Sequence, residues 1–264
     1  MVIACFGHSS DTEGEASDRT FALPEVDKKM LASLSGCKKP IIGVVNAGGN
    51  IEMQGWVPTL KGLIWAFYGG QEAGTAVGEA LFGKINPSGK LPMTFEKKWE
   101  DNPAYNSYYD PDGDKHVAYT EGIFIGYRGY DKLKREVQYP FGYGLSYTTF
   151  KLSDLTVSKP NADGTVEVTC RLANTGKRDG AQVVQAYVGK TESSPVERPE
   201  KELRKFEKVF LKAGESTTVK MTLPKESFMY FDVNSTQFVT DPGTYNIMLG
   251  FSSRDIKIQK NIQY

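Results

Sequence analysis

The chain has 264 residues, 39% of them hydrophobic and 24% charged. That balance suits one large folded domain or two ordinary ones and excludes a disordered chain. Its 32 Lys and Arg equal its 32 Asp and Glu, so no overall field draws it to nucleic acid or to a membrane surface, and neither is expected as a partner.

The run Val2-Ile3-Ala4-Cys5-Phe6 follows Met1 at once. It lacks the basic start of a signal peptide and is too short to span a bilayer. Because it is continuous rather than alternating, it predicts a fully buried strand. A chain that opens in mid-strand reads as part of something longer. Asp11-Thr12-Glu13-Gly14-Glu15-Ala16-Ser17-Asp18-Arg19 follows as a loop with two carboxylates one residue apart. A helix is expected from Leu23-Pro24-Glu25, with Pro24 near its first position and Gly36 as its stop. Ile41-Ile42-Gly43-Val44-Val45 predicts a second strand, Asn46-Ala47-Gly48-Gly49-Asn50 a turn, and Gly62 to Phe67 a third strand. Tyr68-Gly69-Gly70 breaks that strand, and a helix follows from Ala73 to Phe82, ending at Gly83. Strands alternating with helices describe a partial parallel sheet flanked by helices. Ligands of such sheets bind at the carboxyl ends of the strands, so the loops at 7–19, 46–50 and 68–72 are expected to line one face.

Residues 84–150 have a different texture, rich in turns and polar residues. The spacing of Asp110, Asp112 and Asp114 resembles the start of a calcium loop, but no Glu follows at the required offset, so no metal site is expected. Three cysteines, Cys5, Cys37 and Cys170, form no CxxC pair, and neither His8 nor His116 has a metal-ligand partner at a helical or ribbon spacing. Cys5 and Cys37 are expected to be small buried hydrophobes. From residue 150 the pattern turns period-two, as in 166–172, 182–188 and 216–223, with turns at Asn174-Thr175-Gly176, Lys212-Ala213-Gly214 and Asp241-Pro242-Gly243. An all-β immunoglobulin or fibronectin III-like sandwich over 150–264 is expected, after an α/β part with its linker over 1–149. Tyr187, Phe206, Phe210 and Tyr245 lie within the alternating strands and are expected in its core.

Several of these segments, in order, resemble glycoside hydrolase family 3 β-glucosidases. Glu13-Gly14-Glu15-Ala16-Ser17-Asp18-Arg19 resembles the family's acid/base loop. Tyr68-Gly69-Gly70-Gln71-Glu72-Ala73-Gly74 through Leu81-Phe82-Gly83 and Asn86-Pro87-Ser88-Gly89-Lys90-Leu91-Pro92 are similar to the signature after its third strand. Tyr119-Thr120-Glu121-Gly122-Ile123, Gly126-Tyr127-Arg128 and Tyr139-Pro140-Phe141-Gly142-Tyr143-Gly144-Leu145-Ser146-Tyr147 resemble the approach to its terminal fibronectin-like domain. The resemblance implies the later half of the family's α/β sandwich plus that terminal domain, with the (β/α)8 barrel and its nucleophilic aspartate absent from this sequence. It implies a retaining, exo-acting β-glycosidase that needs no cofactor and acts on oligosaccharides or β-glycosides. It also implies export to the periplasm or outside the cell.

Glu15 aligns with the glutamate of the family's Glu-Gly-x-Asp-Arg run, although Ala16 stands where that run usually has Gly. The resemblance therefore makes Glu15 the acid/base, with Glu13 as second choice and Asp18 and Arg19 orienting the loop through an ion pair. Glu72 and Glu121 are expected to hold backbone amides at turns or a helix start. A non-catalytic carbohydrate- or protein-binding module is the alternative, suggested by the aromatic-rich sandwich. The uncovered strands near 2–6 and 41–45 predict self-association or pairing with a barrel domain.

Overall fold

The computed structural model describes residues 1–15, 18–110 and 112–264. The chain divides into two compact units. The first comprises residues 1–85, 95–105 and 136–138, and the second residues 86–94, 106–135 and 139–264.

In the first unit, β1 (Val2–Gly7), β2 (Ile41–Asn46) and β3 (Gly62–Trp65) form a parallel sheet in that order. The pairing runs Val2 to Ile41 and Ile42 to Gly62 without a slip. Helix α1 (Glu25–Leu34) follows Pro24, which sits at its N-cap with the fixed φ that suits a helix start, and α2 (Ala73–Leu81) stops before Gly83 in a left-handed conformation. β2 lies between two neighbours and buries Ile41, Val44 and Val45. β1 is not the fully buried strand that its apolar run suggests. It lies at the edge, buries Ala4 and Phe6, and exposes Ile3 and Cys5 on its other face. Cys5 is therefore exposed and Cys37 half-exposed, and neither is a core residue. Phe6 meets Trp56 edge-on, with ring centroids 5.0 Å apart. Two short strands, β4 (Phe95–Glu96) and β5 (Val137–Tyr139, whose last residue falls in the second unit), pair with each other.

The second unit holds a short helix, α3 (Tyr127–Lys132), and an antiparallel sandwich. One sheet has the order β10 (Ser216–Leu223), β7 (Val166–Asn174), β6 (Phe150–Val157). The other runs β14 (Ile256–Gln263), β13 (Thr244–Gly250), β8 (Gly180–Lys190), β9 (Glu202–Leu211). β11 (Met229–Asp232) and β12 (Gln237–Thr240) form a separate hairpin. Strict alternation builds the core. β7 turns Val166, Val168, Cys170 and Leu172 inward and Glu167 and Arg171 outward, facing Val184, Ala186, Ile247 and Leu249 of the second sheet. Each Val, Leu or Ile among them contributes about 1.5–3 kcal/mol by leaving water. Tyr187 and Tyr245 are fully buried as expected, but Phe206 and Phe210 are about 60% exposed, on the outer face of the edge strand β9. Between these elements, Tyr139 stacks on Tyr143 and Phe141 on Tyr127, a packed crossover rather than an open platform.

Candidate active site

The site is built at the carboxyl ends of β1, β2 and β3, where the three loops converge. Gly7 closes β1 at φ +135°, and a Cβ there would lie 2.0 Å from the Asn46 carbonyl oxygen, so only glycine lets the first loop leave beside β2. The His8 amide then donates to that same Asn46 oxygen at 2.7 Å. Residues 9–13 wind into a single turn. The Glu13 and Thr12 amides both donate to the Ser9 carbonyl, and the Ser9 amide donates to the Thr12 hydroxyl. The His8 ring is buried, with Nδ1 3.2 Å from the Thr12 hydroxyl. Burial, reinforced by the Arg19 charge, holds its pKa below the ordinary value and keeps it neutral near pH 7.

Glu13 is the hub. Its Oε2 accepts from the Tyr68 hydroxyl at 2.6 Å and from the Gly48 amide at 3.2 Å, and its Oε1 lies 3.2 Å from Arg19 Nε. Burial pushes this carboxyl upward. The hydrogen bonds from Tyr68 and Gly48, together with the charge of Arg19, outweigh that effect, so its pKa falls below the usual Glu value. Tyr68 is affected the opposite way, pushed up to about 12 by burial and by the carboxylate it serves. Arg19 also donates to the carbonyl oxygens of Thr20 and Asn50. The ion pair expected for Arg19 thus goes to Glu13. A Cβ at Gly48 would come within 2.8 Å of Glu13 Oε1 and 3.2 Å of Tyr68 Cε2, so a side chain there would push the carboxylate out of its present position.

Glu15, two residues further on, is exposed, and among the described residues it makes no hydrogen bond or ion pair. The two carboxylates of this loop therefore have different situations: one is bound and held ionised, the other stands free toward solvent. Ala16 and Ser17 lie outside the described residues. Asp18 is exposed.

Tyr68, Phe67 and Gly48 were not singled out as functional positions in the sequence. Phe67, two residues after the end of β3, adopts φ +53°, a conformation that costs a bulky residue about 1–3 kcal/mol. It turns the chain sharply at the point where Tyr68 begins. Among the described residues, neither the Glu72 nor the Glu121 carboxylate holds a backbone amide as expected. Glu72 accepts from the Thr75 hydroxyl and Glu121 from the Ser107 hydroxyl. Carboxylate oxygens of half-buried Asp110 and exposed Asp112 and Asp114 come within 4.8 Å of one another, and they accept hydrogen bonds from Gly113, Asp114, Lys115 and His116 amides, which is the bonding of a turn. Among the described residues no helix is long and apolar enough to cross a membrane.

A short parallel sheet with a carboxylate-bearing loop at its carboxyl end precedes an antiparallel fibronectin-like sandwich in this chain. Residues 1–127 match the glycosyl hydrolase family 3 C-terminal domain, and residues 182–253 match a fibronectin type III-like domain. The chain belongs to glycoside hydrolase family 3. It is 40% identical over 266 residues to thermostable beta-glucosidase B of Acetivibrio thermocellus, covering 100% of this chain and 35% of that protein. It superposes on a family 3 beta-glucosidase of Bifidobacterium adolescentis with a TM-score of 0.94 at 36% identity, covering 99% of this chain and 38% of the other. A beta-glucosidase of Kluyveromyces marxianus in complex with glucose gives a TM-score of 0.91 at 36% identity, with 99% and 31% covered. The chain thus spans about a third of the length of these relatives.

Proposed function

We propose that this chain is the C-terminal portion of a retaining, exo-acting β-glycosidase of β-glucosidase type, and that Glu15 is its acid/base. Retaining hydrolysis uses two carboxyl groups about 5–5.5 Å apart, one attacking the anomeric carbon and the other protonating the departing oxygen and then activating water. The second group must take up and release a proton in each cycle. The observation that carries the assignment is the contrast within one loop. Glu13 is tied to three donors and held ionised, whereas Glu15 is exposed and free among the described residues. The relatives named beta-glucosidases, one of them bound to glucose, support a terminal β-linked glucose or a similar sugar as substrate. The nucleophile is not assigned to any residue here, so the chain alone is expected to turn over glycosides negligibly.

The test is a chimera in which this chain replaces the matching C-terminal third of the Acetivibrio thermocellus relative. Glu15→Gln should lower kcat/KM for an alkyl β-glucoside by about 10²–10⁴-fold while sparing much of kcat/KM for a dinitrophenyl glucoside, whose leaving group needs no proton, although kcat on that substrate falls because the second half-reaction still needs the base. Equal losses on both substrates would contradict the role, as would turnover by the unfused chain that Glu15→Gln abolishes.

The alternative reading, a non-catalytic binding module, draws on the exposed Phe206 and Phe210. Retention on insoluble polysaccharide, lost in Phe206→Ala, would favour it. Self-association is proposed through β1, an edge strand exposing Ile3 and Cys5. Light scattering of the chain should then show species larger than a monomer, and a single monomeric species would exclude it.

A further inference from the structure

The carboxyl ends of three parallel strands do not hold their loops together by themselves, since each loop leaves the sheet with its own backbone groups to satisfy. Here a single side chain joins all three. Glu13 lies in the loop after β1, the Gly48 amide in the loop after β2 and the Tyr68 hydroxyl in the loop after β3, and both donors meet the same carboxylate oxygen. Arg19 holds the other oxygen and, through the Asn50 carbonyl, ties the far end of the first loop to the second. Two features with no other evident use favour this arrangement. A Cβ on Gly48 would displace the Glu13 carboxylate from its present position, and Phe67 bears a left-handed backbone immediately before Tyr68.

Resting on the reading of Glu15 as acid/base, we propose that Glu13 is a positioning residue, a latch that fixes the Glu15 loop onto the loops after β2 and β3 and so sets where the acid stands. Glu13 itself moves no proton in the reaction. Its carboxylate remains an acceptor throughout, and Tyr68 remains its donor. A displacement of about 1 Å at a catalytic group can cost on the order of 10²-fold in rate, so a latch two residues from the acid has a large effect without touching substrate.

Two measurements test this. In the 264-residue chain, amide hydrogen exchange should show Glu13→Gln and Tyr68→Phe speeding exchange at Gly48 and across residues 9–13, while Glu15→Gln leaves those amides unchanged. Unaltered protection at Gly48 in Glu13→Gln overturns the latch, whether or not the chimera is active. In the chimera, Glu13→Gln should lower kcat on the alkyl glucoside by on the order of 10²-fold with KM little changed, and Tyr68→Phe by a smaller factor in the same direction. An unchanged kcat in Glu13→Gln overturns the positioning role even if the loop loosens. If Glu13→Gln, rather than Glu15→Gln, spares the dinitrophenyl glucoside selectively, Glu13 is the acid, and the assignment of Glu15 fails together with the latch. If Glu15→Gln alone shows that selectivity and Glu13→Gln is inert, only the latch fails.

Discussion

The core of the sandwich and the loops over the parallel sheet are held by different means. The sandwich rests on dry aliphatic packing, with Val166, Leu172, Val184, Leu223, Ile247 and Leu249 fully buried. The loops over the parallel sheet rest on one carboxylate with a tyrosine, an arginine and a backbone amide around it. The first kind of stability is non-directional and insensitive to pH. The second fixes atoms in place and depends on protonation. A scaffold needs the first, and a site that must hold an acid in register needs the second.

Two variants break this comparison most strongly. Glu15→Gln and Glu13→Gln should each cost orders of magnitude in the chimera's turnover while leaving the sandwich untouched. The converse variant is Leu172→Ala, which empties a core position and should cost the sandwich about 2–5 kcal/mol. The two units can be followed separately. All three tryptophans, Trp56, Trp65 and Trp99, lie in the first unit, and Cys170 lies buried in the sandwich core with its thiol pushed up to about 11 by burial. Leu172→Ala should hasten thiol labelling of Cys170 and leave tryptophan-detected unfolding of the first unit little changed. Equal shifts in both would show that the units unfold as one.

A smaller effect concerns pH. The titratable and charged groups around Glu13 are Arg19, Tyr68 and His8, with Asp27 acting on His8. Glu13 has a folded pKa below its ordinary 4.5, so its contribution is complete above that value and is lost as pH falls through the lower folded one. His8, also lowered from its ordinary 6.5, weakens the fold in the same direction but from a higher pH. Tryptophan-detected stability of the first unit should therefore begin to fall below about pH 6.5 and fall again below about pH 4.5. Glu13→Gln should remove only the second fall. A profile unchanged by that substitution would mean that the carboxylate carries no such weight.

Much of the scaffold was legible in the sequence. β7, β8, β10 and β13 announce themselves by period-two alternation, and α1 and α2 by Pro24 and Gly83. β1 departs from the expected full burial because a continuous apolar run reads the same at an edge as at a centre, and among the described residues it pairs with β2 alone. Phe206 and Phe210 depart from the expected core placement for a related reason. Alternation says that they share a face of β9, but not which one. α3 has glycine inside it and no side-chain cap, so nothing local marks it. At the site, the carboxylate loop and the convergence of three loops were readable, but the bonds that distinguish Glu13 from Glu15 were not. Those partners come from 35 and 55 residues away, and local pattern carries no record of such a meeting.

The most direct test of the central claim is azide rescue of Glu15→Ala in the chimera. An acid/base that has been removed from a retaining enzyme leaves room for a small anion to attack the glycosyl intermediate without base assistance. Azide should restore turnover of the dinitrophenyl glucoside and yield the β-glucosyl azide, with configuration retained. An α-configured azide, or no azide product at all, would contradict the account.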